Sequence, residues 1–538
     1  MSCVSREMYM MPVNGLTPCR PAPSLHFRDI VPHILCLSLF FIYTPACAHA
    51  ATEAVMGPTS QEINSPLNPL QQYPLLVEQT LLLDLAGVSP VFSANYRTLS
   101  QWQAVLFDPD QVGLSHAQQD AELLRMQEQI STYWHFIATT ANKTSSAEED
   151  PVVEIPVVEA PFIETPVTET PVNDPRYVAV LNKISQLVQL EDKGAWEPLV
   201  LEEKLTLGQA SPIVNTLAQR LWLLGDSPTE LSVPTEANEG QIYTEELMQL
   251  IQRFQRRHGL EADGVVGKQT LFWLNQSPYK RAQLLAKNEV SQRVFSQTLS
   301  PSYLLINVPA FEMKLVVQGE LALRSKVIVG KPSRQTPILD SQISNVVLNP
   351  NWRVPRSILR RDILPHIRKD GHYLSERGFD VYNVEGQRVH HSPEEWQALA
   401  SSHFPFKLVQ RPGPRNALGK YKFHFENDFS VYLHGTSEPS LFKKADRALS
   451  SGCIRVERVD ELALWFKAHL IKDTALWDRL APVVTQPQWF ALSDKLPVHL
   501  VYWTAWLDDQ GLAQYRNDIY HLEAELTNAV PAVIFYQP

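Results

Sequence analysis

His434-Gly435-Thr436 and, after a polar loop, Ser450-Ser451-Gly452-Cys453-Ile454-Arg455 are the residues around which this 538-residue chain is organised. Cys453 is the only cysteine after position 47, and the other four lie in a segment that we expect to be removed on export. An unpaired thiol is unusual in an exported chain, and a thiol with a histidine in reach is a candidate nucleophile. Cys453 and His434 are therefore the first candidates for a catalytic site.

The chemistry of acyl transfer requires these residue types. A thiol attacks as the thiolate, and an imidazole accepts its proton and later returns it to a leaving amine. Gly452 lets a substrate carbonyl approach the backbone, and the amides of Gly452 and Cys453 are positioned in sequence to stabilise an oxyanion. The alternating apolar residues of 429–433 predict a strand that ends at His434. The alternative is structural, with Cys453 a small buried hydrophobe and His434 a surface histidine.

The motif resembles the active-site signature of the L,D-transpeptidases of the YkuD type. The family pattern is His-Gly, a short loop, and then Ser-x-Gly-Cys-Ile/Val-Arg, which residues 434–455 match closely. Many small members have a histidine two residues before the cysteine, where this chain has Ser451. Looser similarity runs from Tyr303 to Asp509, and the whole chain resembles the large Gram-negative members.

The resemblance implies roles for individual residues. It implies that the Gly435 carbonyl orients the imidazole and that Arg455 shapes the loop or contacts substrate. The histidines of residues 357–410 lack zinc-ligand spacing, so we expect no metal, and we expect no cofactor. The catalytic residues expected are Cys453, His434, Gly435 and Gly452, and the substrate-binding residues expected are Arg455, Ser451, Thr436 and Trp352.

Residues 203–275 predict a compact helical unit with tight turns at its glycines. Phe254-Gln255, Gly259-Leu260, Asp263-Gly264, Gly267 and Thr270 resemble the signature of the small three-helix peptidoglycan-binding module. Most of these positions serve the fold of the module, so they indicate a cell-wall context more than they identify contact residues.

The N-terminal region predicts export. Residues 1–50 contain arginines before an apolar run from Ile34 to Tyr43, which is shorter than the about 20 residues that span a bilayer. We therefore expect a cleaved leader and a periplasmic protein, with an uncleaved inner-membrane tether as the alternative. Residues 51–144 predict a helical scaffold region with no sign of chemistry.

Residues 145–175 carry a proline at every fifth position from 151 to 171. This spacing excludes a helix and favours an extended chain. We interpret the segment as a linker. A spacer across a cell-wall gap, an insertion of no selected length and a long excursion within one folded scaffold all remain open.

The predicted fold is multidomain α+β, and the net charge of −11 argues against a general nucleic-acid binder. The catalytic domain, 302–485, is expected to be β-rich and sandwich-like, because alternating runs dominate it. By resemblance its insertion 357–410 caps the site, with a decorative surface insertion as the alternative. The peptidoglycan-binding domain is placed at 176–290 and a C-terminal extension without chemistry at 486–538.

The function implied is an L,D-transpeptidase that acts on the tetrapeptide stems of peptidoglycan through a thioester on Cys453, giving 3→3 cross-links. Two alternatives remain. One is a catalytically silent wall-binding scaffold. The other keeps the chemistry and uses water or a lysine of an envelope lipoprotein as acceptor, because acceptor choice depends on pocket shape.

Overall fold

The computed structural model describes residues 69–140, 153–155, 173–192, 196–229, 241–482, 486–524 and 533–535. The predicted leader, 1–50, lies outside these ranges. Within them, no helix is both long enough and apolar enough to cross a bilayer.

The first half of the described chain is a helical body. Its apolar side chains form one core, in which Leu82, Tyr133, Tyr177 and Phe254 are almost completely buried. The elements are α1 (Pro69–Ala86), α2 (Pro90–Ala104), α3 (Pro109–Val112), α4 (His116–Thr140), β1 (Val153–Ile155), α5 (Pro175–Asp192), β2 (Ala210–Ser211), α6 (Val214–Leu223), β3 (Gln241–Ile242), α7 (Glu245–Arg257), α8 (Lys268–Leu274) and α9 (Pro278–Ser296).

The predicted three-helix module is α6, α7 and α8. The side chain of Thr244 accepts a hydrogen bond from the backbone N–H of Leu247 and so caps α7. Buried Gln255 donates to the Val265 carbonyl at 3.0 Å and accepts from the Gly264 N–H at 2.9 Å. The Gln and Asp-Gly positions of the signature thus hold the loop after α7, which confirms the helical module.

The second half begins with strands. The elements are β4 (Tyr303–Asn307), β5 (Glu312–Val317), β6 (Glu320–Gly330), β7 (Leu339–Leu348), β8 (Trp352–Arg353), α10 (Arg356–Ile358), α11 (Leu364–Lys369), α12 (Tyr373–Glu376), β9 (Phe379–Tyr382), β10 (Arg388–Val389), α13 (Pro393–Ser401), β11 (Lys407–Gln410), β12 (Tyr421–Phe425), β13 (Leu433–His434), β14 (Ala448–Ser450), β15 (Ile454–Val456), α14 (Val459–Leu470), α15 (Thr474–Leu480), β16 (Gln488–Val501), β17 (Ala505–Leu507), β18 (Ala513–Tyr515) and β19 (Val533–Phe535).

Nine of these strands form one sheet in the order β14-β6-β15-β13-β12-β7-β16-β4-β5. Because β5 also pairs with β6, the sheet closes on itself and encloses an apolar core that α14 completes with Leu462 and Phe466. The predicted mixed α+β class is confirmed. The catalytic domain that was expected to be sandwich-like is built on a single closed sheet.

The inserted segment folds around its own core. Strands β8 to β11 form a separate four-stranded sheet in the order β10-β9-β11-β8. Leu359, Ile367 and Trp396 lie in a cluster distinct from that of the nine-stranded sheet. The unit includes Trp352, which precedes the boundary predicted at 357. We call this unit the cap.

The C-terminal residues differ from the prediction. Strand β16 lies between β7 and β4 in the nine-stranded sheet, so that sheet continues beyond the boundary placed at 485. Strands β17 and β18 join the core of the helical body, and Trp273 donates to Asn517 Oδ1 at 2.8 Å. Residues 486–524 are therefore not an appendage, because they connect the helical body to the sheet.

The proline-rich segment connects two parts of one helical body. Helix α4 precedes the segment and α5 follows it, and the rings of Trp134 and Tyr177 lie 6.1 Å apart in their shared core. Strand β1, from the segment, pairs in parallel with β19. Of the three interpretations, this favours the long excursion within one scaffold, and the spacer across a cell-wall gap stays a prediction.

Candidate active site

Two neighbouring parallel strands place the candidate residues together. Strand β13 pairs with β15 so that His434 lies opposite Arg455 and Leu433 opposite Ile454. Leu433 and Ile454 are completely buried in the sheet core. Because side chains alternate along a strand, His434 and Cys453 share the other face, two positions apart on adjacent strands.

A turn before β13 differs from the predicted strand. The strand begins at Leu433, because Asn427 Oδ1 accepts hydrogen bonds from the N–H groups of Phe429 and Val431 and holds the chain in a loop. Ser430 has a φ of 57°, and its carbonyl accepts the Cys453 thiol hydrogen bond at 4.0 Å. Within the described residues, no hydrogen bond joins the thiol to His434.

The loop before the nucleophile is held at Gly452, whose φ of 112° favours glycine. Its N–H donates to Ser450 Oγ at 3.1 Å, and its carbonyl accepts from Thr336 Oγ1 at 2.8 Å. The Gly452 N–H is thus engaged in the free protein, and its role in an oxyanion hole stays a prediction. Across the described ranges no hydrogen bond engages the Cys453 N–H, which leaves that amide as the candidate donor.

Thr336 is positioned by a residue that the sequence did not indicate. Tyr520 accepts from the Thr336 N–H at 3.1 Å and donates to the Gly330 carbonyl at 2.6 Å. Thr336 Oγ1 also accepts from the Gly330 N–H at 2.9 Å. Thr336 lies in a segment of the family resemblance, whereas Tyr520 lies in the extension to which no chemistry was assigned.

The residues expected to bind substrate take separate positions. Ser451 Oγ accepts from Arg334 Nη1 at 2.8 Å, and Arg455 Nη1 lies 3.3 Å from Glu438 Oε2. Thr436 Oγ1 accepts from the Glu438 N–H at 3.0 Å. Trp352 lies in the cap, with its side chain near Tyr432 on the face that carries His434. The structure therefore brings Ser451, Arg455 and Trp352 to the site, while Thr436 shapes the loop after it.

Two family models match this chain, one over the residues around the site and one over the three-helix module. Residues 301–484 match the model described as the L,D-transpeptidase catalytic domain, YkuD. This segment is therefore similar to the catalytic domain of the L,D-transpeptidases. Residues 211–274 match the model described as "Putative peptidoglycan binding domain", which covers α6, α7 and α8.

Individual relatives are more distant. A Haemophilus influenzae protein named "Putative L,D-transpeptidase" is 33% identical over 229 residues, which cover 42% of this chain and 45% of the relative. An L,D-transpeptidase structure from Stackebrandtia nassauensis is 15% identical with a TM-score of 0.21, covering 57% of this chain and 97% of that one. One from Xylanimonas cellulosilytica is 16% identical with a TM-score of 0.17, covering 57% and 100%. Structural likenesses this low support no statement about the fold.

The imidazole of the transpeptidase domain is neutral at ordinary pH. His434 is 4% exposed, and burial, followed by the charge of Arg455, lowers its pKa to about 3. The backbone groups of Gly435 and Leu418 oppose this shift, and His434 Nδ1 is buried. The orientation of the ring by the Gly435 carbonyl stays a prediction, which the influence of Gly435 on the imidazole supports.

The thiol is also neutral. Burial raises the pKa of Cys453, and hydrogen bonds from Tyr432 and the charge of Lys422 partly oppose the shift. Lys422 lies opposite His434 in β12, with Nζ 3.9 Å from the ring centroid of Tyr432. Burial lowers the pKa of Lys422 in turn. Lys422 and Tyr432 are thus candidate-site residues that the sequence analysis did not identify. The only signal for them in the sequence was their position in alternating strands.

Replacing Thr336 tests the support of Gly452. Thr336→Val removes the hydroxyl and leaves a buried carbonyl unpaired, a loss of about 1–3 kcal/mol, so we expect Cys453 acylation to slow by about tenfold or more. Thr336→Ser is the matched control, because it keeps the hydroxyl and should react at nearly the rate of the parent. Stopped-flow acylation measures both. Equal rates for the two variants would contradict this support.

The pH dependence tests the neutral pair. Because the His434 pKa is lowered to about 3 and the Cys453 pKa is raised, the neutral imidazole and protonated thiol dominate throughout the neutral range. We expect the acylation rate to stay flat between about pH 5 and about pH 8. The measurement is acyl-enzyme formation at each pH under single-turnover conditions. A fall centred near pH 6.5, the ordinary histidine value, would refute the lowered pKa.

Proposed function

We propose that this protein is an L,D-transpeptidase that forms 3→3 cross-links between peptidoglycan stems. The observation that carries the proposal is the placement of Cys453 and His434 on one face of adjacent strands within the matched catalytic domain. A neutral imidazole beside a protonated thiol suits general-base catalysis, in which proton removal accompanies attack.

In the first step the donor is a tetrapeptide stem. His434 accepts the thiol proton of Cys453 as sulfur attacks the carbonyl of the third, diaminopimelate-type residue. The oxyanion is stabilised by the free Cys453 N–H. The amide bond to the fourth residue then breaks, His434 returns the proton to the leaving amine, D-Ala departs, and a thioester remains on Cys453.

In the second step the side-chain amine of the third residue of another stem attacks the thioester. His434 accepts a proton from that amine, the bond from carbon to sulfur breaks, and the proton returns to the Cys453 sulfur. The products are a new amide and the free thiol, so no water is consumed. The cap meets the site through Trp352 and Tyr432, where it excludes water and favours an amine acceptor.

The remaining regions fit a cell-wall setting. The three-helix module matches a peptidoglycan-binding model, which supports peptidoglycan as the partner. The proposed location is the periplasm, after export directed by residues 1–50. The products formed distinguish this proposal from its two alternatives. One alternative is a silent scaffold, and the other is the same chemistry with water or a lipoprotein lysine as acceptor.

The test is incubation of purified protein with disaccharide-tetrapeptide, followed by chromatography and mass spectrometry of the products. We expect 3→3 dimers and free D-Ala from the parent protein and none above background from Cys453→Ala. Dimers formed by Cys453→Ala would refute the assignment of the nucleophile. Tripeptide without dimer would replace the amine acceptor with water, and unchanged substrate would favour the silent scaffold.

A further inference from the structure

A partly buried cation lies beside the nucleophile loop and is not used by the chemistry above. Arg334 belongs to the turn after β6, and its carbonyl lies 4.0 Å from the position that a Cβ on Gly452 would occupy. Its Nη1 donates to Ser451 Oγ, and Ser451 is two residues before Cys453. The side chain is only 17% exposed, so this charge faces the site more than the solvent.

The partner of this cation comes from the cap. Asp362 Oδ2 lies 2.6 Å from Arg334 Nη1, and Asp362 Oδ1 lies 3.4 Å from Nη2. Asp362 is in a π-helical turn, Leu359–Ile363, a rare conformation that is frequent at functional sites. Because the cap has its own core, Asp362 can leave Arg334 without disrupting the nine-stranded sheet.

The other two cations of the site are less available to an anion. Lys422 lies over the ring of Tyr432, and Arg455 is paired with Glu438 on the His434 side of the site. Arg334 is therefore a cation on the Ser451 side whose guanidinium contacts the loop, and it is held by a carboxylate that belongs to a separate unit. A guanidinium binds a carboxylate through two parallel hydrogen bonds, a geometry that Asp362 approximates.

We propose that Arg334 binds a carboxylate of the donor stem and that Asp362 occupies its place in the free protein. This inference rests on the proposed function, in which the donor carries carboxylates next to the bond that breaks. Two sources share the chemistry: the C-terminal carboxylate of the leaving residue and the side-chain carboxylate of the third residue. Substrate binding then releases Asp362 and with it the π-helical turn of the cap.

The experiment measures acylation of Cys453 by mass spectrometry with three donors. These are the free tetrapeptide stem, the stem amidated at its C-terminus, and the stem amidated on the side chain of its third residue. We expect the parent to prefer the free acid over one amide by about 10- to 100-fold, because a charged hydrogen-bonding partner is lost. Arg334→Gln should abolish that preference, because it should slow the acylation of Cys453 by the free acid and leave acylation by the amide unchanged.

Arg361→Gln is the matched control, because Arg361 is an exposed cation next to Asp362 and its loss should leave the preference intact. Asp362→Asn carries the test independently, including the case in which Arg334→Gln does not fold. Removing the competing carboxylate should lower the KM for the free acid by about three- to tenfold. The KM for the disfavoured amide should stay unchanged.

The outcomes separate this inference from the proposed function. The role of Arg334 would be overturned by any of three results. These are an unchanged preference in Arg334→Gln, a parent protein that does not distinguish the three donors, and an unchanged KM in Asp362→Asn. A parent that forms no acyl-enzyme with any donor would instead overturn the proposed function.

Discussion

The site depends on one residue, Gly452, whose two flanking peptide groups are both held by hydrogen bonds. The Gly452 N–H donates to Ser450 Oγ, and the Gly452 carbonyl accepts from Thr336, so the residue before the nucleophile has a fixed orientation. This orientation directs the Cys453 side chain to the face that carries His434 and leaves the Cys453 N–H free. Without it, a residue at positive φ would give the loop several alternative conformations.

The residues that hold Gly452 in place are connected to the helical body. Tyr520 holds Thr336, and the same C-terminal segment packs on the three-helix module, where Arg257 donates to the Ala513 carbonyl at 3.0 Å. The three-helix module and the nucleophile loop are therefore connected by a short chain of hydrogen bonds and packed residues. Helices α4 and α5, which flank the proline-rich segment in sequence, share one core.

Local patterns in the sequence predicted the elements that are local. The alternation before His434 predicted a strand that ends at that residue, of which the structure keeps Leu433–His434, and the glycine pattern predicted the three-helix module. The support of the site was not predictable in this way. Thr336 and Gly452 are separated by 116 positions, and Tyr520 and Gly330 by 190, so no period or spacing relates them. The engagement of the Gly452 N–H by Ser450 was also missed, because it depends on backbone orientation.

The chemistry follows from burial. Burial keeps both the imidazole and the thiol neutral, so the reaction depends on a proton transfer that accompanies attack. The central claim is that Cys453 is an acylating nucleophile. Incubation with a carbapenem, followed by intact-mass measurement and peptide mapping, tests it most directly. We expect one adduct, on Cys453, whereas an unmodified protein or an adduct at another residue would contradict the claim.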